Sequence, residues 1–369
     1  MIYLDSGATS FRKPPQVAKA VLWAMKTCAN PGRGGYPASE AASRTVFRCR
    51  EQAGKLFDCR PEQVVLTSSC THGLNIAIRS LVSPGARVVV SGFEHNAAVR
   101  PLYALDAQVI PAGRKLFSWE DTLEDFRRAL DRGADAAVFT HVSNVFGYIL
   151  PVEEMAKMCR ERGVPFVVDA AQSAGSQKVS LEAWGADFIA MPGHKGLLGP
   201  GGTGLLLCKG QAEPLLYGGT GSQSVLKTMP EELPERLEAG TMNVPGAAGL
   251  LAGMRCVEKM GVSAIAAREE REAKRCAGGL KELGAEVFTG PHQGGTVSFR
   301  MGGDCEETAQ ALAKAGIAVR AGLHCAPLAH ESAGTLETGT VRVSYGWDAH
   351  QSQTEALLKA VSKLRLRRN

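Results

Sequence analysis

Lys195 stands in Met191-Pro-Gly-His194-Lys195-Gly196, just ahead of Gly199, Gly201, Gly202 and Gly204. Upstream, the apolar run 164–168 ends in Asp169, and Gln172 follows. A short apolar run of this kind reads as a buried strand. It places Asp169 at a strand end and Lys195 on a glycine-rich loop. Either residue alone is most simply a solvated surface group. Together they supply what pyridoxal phosphate chemistry requires. The amine forms a Schiff base with the cofactor aldehyde, and the carboxylate keeps the pyridine nitrogen protonated so that the ring accepts electrons.

Other segments carry residues suited to the same chemistry. Ser69-Cys70-Thr71-His72 lies between a predicted strand and a predicted helix. Backbone N–H groups at a helix start bind phosphate, although Ser69 or Thr71 would also serve as an ordinary cap. His95 follows a strand in Phe93-Glu-His-Asn96, where an imidazole can stack on a flat ring or face water. Asn144 sits at another strand end, in Ser143-Asn-Val-Phe-Gly147. It can bond the cofactor's phenolic oxygen or simply make a turn. Arg320-Ala-Gly-Leu-His324-Cys325-Ala-Pro327 places a cysteine on a loop. Arg320 and His324 are cationic or potentially cationic neighbours that would favour a thiolate; the alternative is an inert thiol. Arg342 interrupts an alternating strand at 340–344. It reads as an outward-facing arginine or as a bidentate clamp for an amino-acid carboxylate.

These side chains need a scaffold, and the pattern supplies one. A helix is expected from Pro14-Pro15 to about Thr27, and an amphipathic helix over 40–57. Apolar runs follow at 64–67, 87–90, 136–140, 165–168, 187–190 and 204–208, with helices at 72–82, 96–105, 121–131 and 151–162 between the earlier ones. Alternation of this kind implies an α/β domain with a mainly parallel sheet, whose ligands sit beyond the carboxyl ends of its strands. After about residue 245 a helix-rich stretch (246–283) leads to short strands near 286–288, 296–299, 317–319 and 340–344, then a helix at 349–366. We expect a large domain over 14–245 and a smaller α+β domain over 246–369, with 1–13 packing nearby.

Composition narrows the class. Of 369 residues, 44% are hydrophobic and 21% charged, ordinary for a globular protein. The charge of +5 interleaves 42 basic with 37 acidic residues, and no basic tract points to nucleic acid. No apolar run reaches the ~18–20 residues of a membrane span, and no signal peptide is expected at the start. Ten cysteines include no C-x-x-C pair, which argues against a zinc site. Scattered thiols suit a reducing cytoplasm. Gly199 to Gly204 spells G-x-G-x-x-G, but a strand rather than a helix follows, so a dinucleotide site is excluded.

With these residues in place, the chain resembles the class V aminotransferases, fold-type I pyridoxal phosphate enzymes. Within that family it is most similar to cysteine desulfurases and selenocysteine lyases of the short-active-loop group. The markers run from Tyr3-Leu-Asp-Ser-Gly-Ala-Thr9 through Glu94-His95, Ser143 to Gly147, Asp169-Ala-Ala-Gln172, Gly193-His-Lys195, Glu238-Ala-Gly-Thr241-Met-Asn243 and Arg320 to Ala326, as far as the Arg342 strand. The resemblance implies a large domain with a seven-stranded sheet. It implies Lys195, Cys325 and His95 as catalytic residues, with Asp169 as partner of the pyridinium. Gln172 and Asn144 would touch the phenolic oxygen and His95 would stack on the ring. Cys70, Thr71 and His194 would surround the phosphate. Thr241 would reach the phosphate of a neighbouring subunit, implying a homodimer. Arg342 would bind the substrate carboxylate, with Arg320 and Asn30 or Arg33 near the substrate pocket. L-cysteine would become alanine while Cys325 takes the sulfur as a persulfide and passes it to an acceptor, such as an iron–sulfur assembly partner. Two alternatives stand beside this: an aminotransferase or β-lyase on another amino acid, and a degenerate scaffold protein.

The chain also departs from the family pattern. Relatives usually carry Thr-Thr-Glu where this chain has Cys70-Thr71-His72, and serine where it has Pro192. Proline can donate no hydrogen bond, so the phosphate cup is expected to be built differently.

Overall fold

A computed structural model describes every residue except Arg33 and Asn369, with side chains described as far as Leu364. Its centre is a seven-stranded sheet in the order Val64–Thr67, Gly204–Cys208, Phe188–Pro192, Phe166–Asp169, Ala136–Thr140, Arg87–Ser91 and Gln108–Ala112. Gly204–Cys208 runs antiparallel to both of its neighbours, and all other pairings are parallel or follow from it. The inner strands are buried along almost their whole length. They must be near-continuously apolar because helices cover both faces. Pro37–Phe57, Trp119–Asp131 and Val152–Glu161 contribute Ala42, Phe126 and Met155 to the core on one face. Cys70–Leu81 and Asn96–Ala104 contribute Leu74, Ile78 and Leu102 to the core on the other.

One strand of this sheet, Gln108–Ala112, gave no sequence signal. It lies at the sheet edge, exposed at Gln108 and half-buried over the next three residues, and Pro111 interrupts it, as an edge position tolerates. The helix-rich stretch expected over 246–283 is helical on both sides of one break. The structure breaks it at Gly261, whose φ of 81° suits glycine, into Val244–Met260 and Val262–Glu282.

A second core lies under a four-stranded antiparallel sheet, Arg320–Gly322, Thr340–Ser344, Thr296–Arg300 and Glu286–Phe288. Val262–Glu282, Cys305–Lys314 and Gln351–Arg368 pack against it. Arg320 therefore starts a short strand, where the sequence had suggested an open loop. The first residues join this unit: Ile2–Tyr3 pairs with Ile317–Ala318, and Asp5 bridges to Ser344. The boundary expected at 245/246 falls at the start of Val244–Met260. That helix packs on Pro15–Thr27 and Pro37–Phe57, and its Leu250 and Met254 belong to the large-sheet core.

Candidate active site

The carboxyl ends of the large-sheet strands converge on one cavity of about 200 Å³. Eight residues expected at a cofactor site line it: Cys70, Thr71, His95, Asn144, Asp169, Gln172, His194 and Lys195. Phe166–Asp169 delivers a carboxylate that is 3% exposed. Its Oδ1 accepts from Ala171 N–H at 2.8 Å and from Cys70 Sγ at 3.4 Å. This leaves Oδ2 as the oxygen open to a ligand. The Cys70 side chain thus serves Asp169, and only its backbone remains for the phosphate position expected of it. Burial, then the Asp169 charge, pushes the Cys70 thiol well up, which keeps it a donor.

Lys195 follows the strand Phe188–Pro192 on a turn that only glycine can make so tight. A Cβ on Gly193 would lie 2.1 Å from Thr203 Oγ1, and one on Gly196 would lie 2.3 Å from the Ala174 carbonyl oxygen. The segment before the first helix clamps this turn: Ser10 N–H, Ser10 Oγ, Thr9 Oγ1 and Lys13 Nζ all donate to the His194 carbonyl. Desolvation lowers the proton affinity of the Lys195 amine, opposed chiefly by Asp169. His194 is held down at about 4 by burial and by Lys195 and Lys13, so its ring is neutral.

His95 caps Asn96–Ala104. Its Nδ1 accepts from Ala97 N–H at 3.0 Å, so the ring proton sits on Nε2. Burial lowers its pKa, with Asp169 opposing. The result is a neutral, oriented imidazole at the cavity wall, suited to stacking. Thr71 lies in the first turn of Cys70–Leu81, where Ser69 Oγ caps His72 N–H at 3.1 Å. Gln172 Nε2 donates to the Gly7 carbonyl at 2.9 Å.

The Cys325 segment is a short turn that is tied to the cavity wall without lining the cavity itself. Only residues 323–326 separate Arg320–Gly322 from the helix Pro327–Ser332. His324 and Cys325 both take left-handed φ values, 50° and 57°, uncommon for side chains with a Cβ. Two bonds from the large-sheet unit hold them: Asn144 Nδ2 donates to the His324 carbonyl at 2.8 Å, and Asn96 N–H donates to the Cys325 carbonyl at 2.7 Å. Cys325 itself is exposed. The expectation that His324 supports a thiolate as a cation fails. Its ring is buried with Nε2 on Thr340 Oγ1 at 3.3 Å, and burial beside Arg342 drives it down to about 2, so it is neutral.

Arg342 is 2% exposed. Nη1 donates to the Asn144 carbonyl at 3.0 Å and Nη2 to Asp5 Oδ1 at 2.8 Å, while Nε has no partner among the described residues. Arg320 grips the same Asp5 with Nε and Nη2. Sequence reasoning missed Asp5 as a site residue; it stands more than 300 positions from both arginines. Thr241 and Asn30 do not line the Lys195 cavity. They share a separate cleft with Arg50 and Glu238, so within one chain Asn30 does not flank the expected substrate pocket. Arg33 lies outside the described residues.

The cavity suits pyridoxal phosphate. A helix start faces one part of it, a buried carboxylate with a free oxygen another, and a desolvated amine and a neutral imidazole complete the wall. Comparison with known proteins agrees. Residues 2–357 match the family model for Aminotransferase class-V, and the chain belongs to that family of pyridoxal phosphate enzymes. It is 32% identical to a probable cysteine desulfurase of Methanothermobacter thermautotrophicus, over 93% of this chain and 89% of that one. It is equally similar to a probable cysteine desulfurase of Pyrococcus abyssi, over 99% and 94%. The solved apo cysteine desulfurase of Thermococcus onnurineus superimposes with a TM-score of 0.90 at 33% identity, covering 98% of this chain and 94% of that one.

Proposed function

We propose that the protein is a pyridoxal phosphate-dependent cysteine desulfurase, and that Cys325 is the residue that takes the sulfur. The observation that carries this is an exposed cysteine on a pinned four-residue turn, bonded through its own carbonyl to the residue after His95. When bound, the cofactor supplies an electron sink for charge developing at the substrate α-carbon. Lys195 would hold its aldehyde, Asp169 Oδ2 its ring nitrogen, and the Cys70–Thr71 helix start its phosphate.

The chain's residues divide the work. Arg342 binds the substrate carboxylate through donors not already taken by Asn144 and Asp5. Lys195, desolvated and so readily neutral, takes the α-proton. Cys325 Sγ bonds to the substrate sulfur as the substrate's Cβ–S bond breaks. Cβ takes up the proton that the two thiols release as the S–S bond forms, and Lys195 returns its proton to the α-carbon, so that alanine leaves and the sulfur remains on Cys325 as a persulfide for an acceptor thiol. L-cysteine is the substrate in this reading, and selenocysteine fits the same steps. We place the protein in the cytoplasm as a homodimer in which Thr241 serves the partner's phosphate.

Anaerobic incubation of the yellow protein with L-cysteine tests the reading. Alanine should form, with a sulfur adduct of ~32 Da on Cys325, and Cys325→Ala should keep the colour but form no alanine. A change in cofactor absorbance without alanine or adduct would overturn it in favour of another amino-acid substrate.

A further inference from the structure

Arg320 and Arg342 are direct cross-strand partners in the small sheet. Like charges placed opposite one another repel, and here both guanidinium groups converge on the single carboxylate of Asp5. Asp5 Oδ1 accepts from Arg342 Nη2 at 2.8 Å and from Arg320 Nε at 3.2 Å; Oδ2 accepts from Arg320 Nη2 at 2.8 Å and Nε at 3.1 Å. Asp5 is 8% exposed and is fixed by its bridge to Ser344, two residues from Arg342 on the same strand. The two arginines differ in setting. Arg342 is deeply buried with Nε unpartnered among the described residues, whereas the Arg320 side chain is 50% exposed and lies within electrostatic reach of Cys325.

We infer that Asp5 is a specificity-determining residue: it cancels one of two arginine charges, so this cluster of three presents a net single positive charge matched to an amino acid with one carboxylate. The inference rests on the reading of Arg342 as the clamp for the substrate carboxylate. Two arginines and one aspartate leave a charge of +1. An α-carboxylate arriving at Arg342 neutralises it. A substrate with a second, side-chain carboxylate brings an uncompensated negative charge next to Asp5 and is rejected. The buried arginine reads the α-carboxylate. The exposed arginine, held away by Asp5, is withdrawn from the substrate side chain, so a neutral thiol passes where an acidic group does not. Asp5 also orients Arg342, holding one Nη2 proton while Nη1 sits on the Asn144 carbonyl.

Charge counting gives the test. The pyridoxal-loaded protein is titrated with L-alanine and with L-aspartate, and dissociation constants are read from the visible absorbance change, so turnover is not needed. The wild type should bind alanine in preference to aspartate. Asp5→Asn raises the count to +2 and should shift the aspartate-to-alanine affinity ratio toward aspartate by roughly tenfold or more, as expected for removing a like-charge clash. Adding Arg320→Gln to Asp5→Asn returns the count to +1 and should restore the wild-type ratio, which a merely structural role for Asp5 would not do. Arg320→Gln alone, at a half-exposed position where folding is not at stake, lowers the count to zero. It should weaken aspartate binding more than alanine binding. An unchanged ratio in Asp5→Asn, or in Arg320→Gln should Asp5→Asn not fold, would overturn the inference. L-cysteine turnover by the wild type is measured alongside. If it yields alanine while the ratios do not move, the charge count fails and the desulfurase reading stands. If it yields none while the ratios move as predicted, the charge count stands and the substrate is another amino acid with one carboxylate.

Discussion

Replacing Glu94 by glutamine tests the turn that positions His95. The Glu94 side chain is wholly buried between strand ends. Oε1 accepts from Ser91 Oγ and from Thr140 N–H, while Oε2 has no partner among the described residues. Burial pushes the carboxyl up to about 8, against the pull of those two hydrogen bonds. In the unfolded chain it ionises near the ordinary glutamate value of about 4.3. Between those two values the folded protein keeps a proton that the unfolded chain has released. Stability therefore falls as pH rises through this window, by up to ~1.4 kcal/mol per pH unit. From about pH 6 to about pH 8 the group costs ~2 kcal/mol. With ~0.8 kcal/mol/K of unfolding entropy for a 369-residue chain, that lowers Tm by ~3 °C. Glutamine keeps the acceptor oxygen and carries no titrating proton. Thermal melts at matched scan rates should therefore show a Tm drop from pH 6 to pH 8 that is ~3 °C smaller in Glu94→Gln than in the wild type. Glu238 and Glu269, raised by burial to about 7 and about 8, titrate in both proteins and cancel in the comparison. Equal drops in the two proteins would refute the reasoning.

Two further substitutions follow from the same geometry. Arg342→Lys leaves one ammonium where a fork now reaches both the Asn144 carbonyl and Asp5. The loss of a charge-assisted pair, ~3 kcal/mol, should raise KM for L-cysteine by about a hundredfold with a smaller effect on kcat; an unchanged KM contradicts the clamp. Glu238→Ala strands Arg50, whose side chain is only 14% exposed, and orphans Leu66 N–H. It should cost ~3–5 kcal/mol in denaturant unfolding, with Glu238→Gln costing less.

Much of the site was legible because strand ends announce themselves. Apolar runs that stop at Asp169, before His95 and before Lys195 place those residues at the carboxyl edge of a parallel sheet, and there they lie. What stayed hidden depended on contacts between distant segments. Asp5 reads as part of an opening strand, and nothing local says that Arg320 and Arg342 meet on it. Cys70 reads as a helix start, and only the folded chain aims its thiol at Asp169. His324 looks cationic beside an arginine; burial, which its neighbours in sequence do not reveal, makes it neutral. The strand Gln108–Ala112 was hidden for another reason, since an edge position needs no apolar run and accepts Pro111.

The bond from Asn96 N–H to the Cys325 carbonyl has one more consequence. Asn96 belongs to the helix capped by His95, and Cys325 to the turn between Arg320–Gly322 and Pro327–Ser332. This amide makes one of the bonds that tie the two units together, and it lies within one residue of the ring-stacking candidate. Its hydrogen exchange is a gauge of the latch: the amide is shielded while the turn stays docked and exchanges whenever the turn lifts. One proton on the backbone reports how often the Cys325 thiol leaves its station.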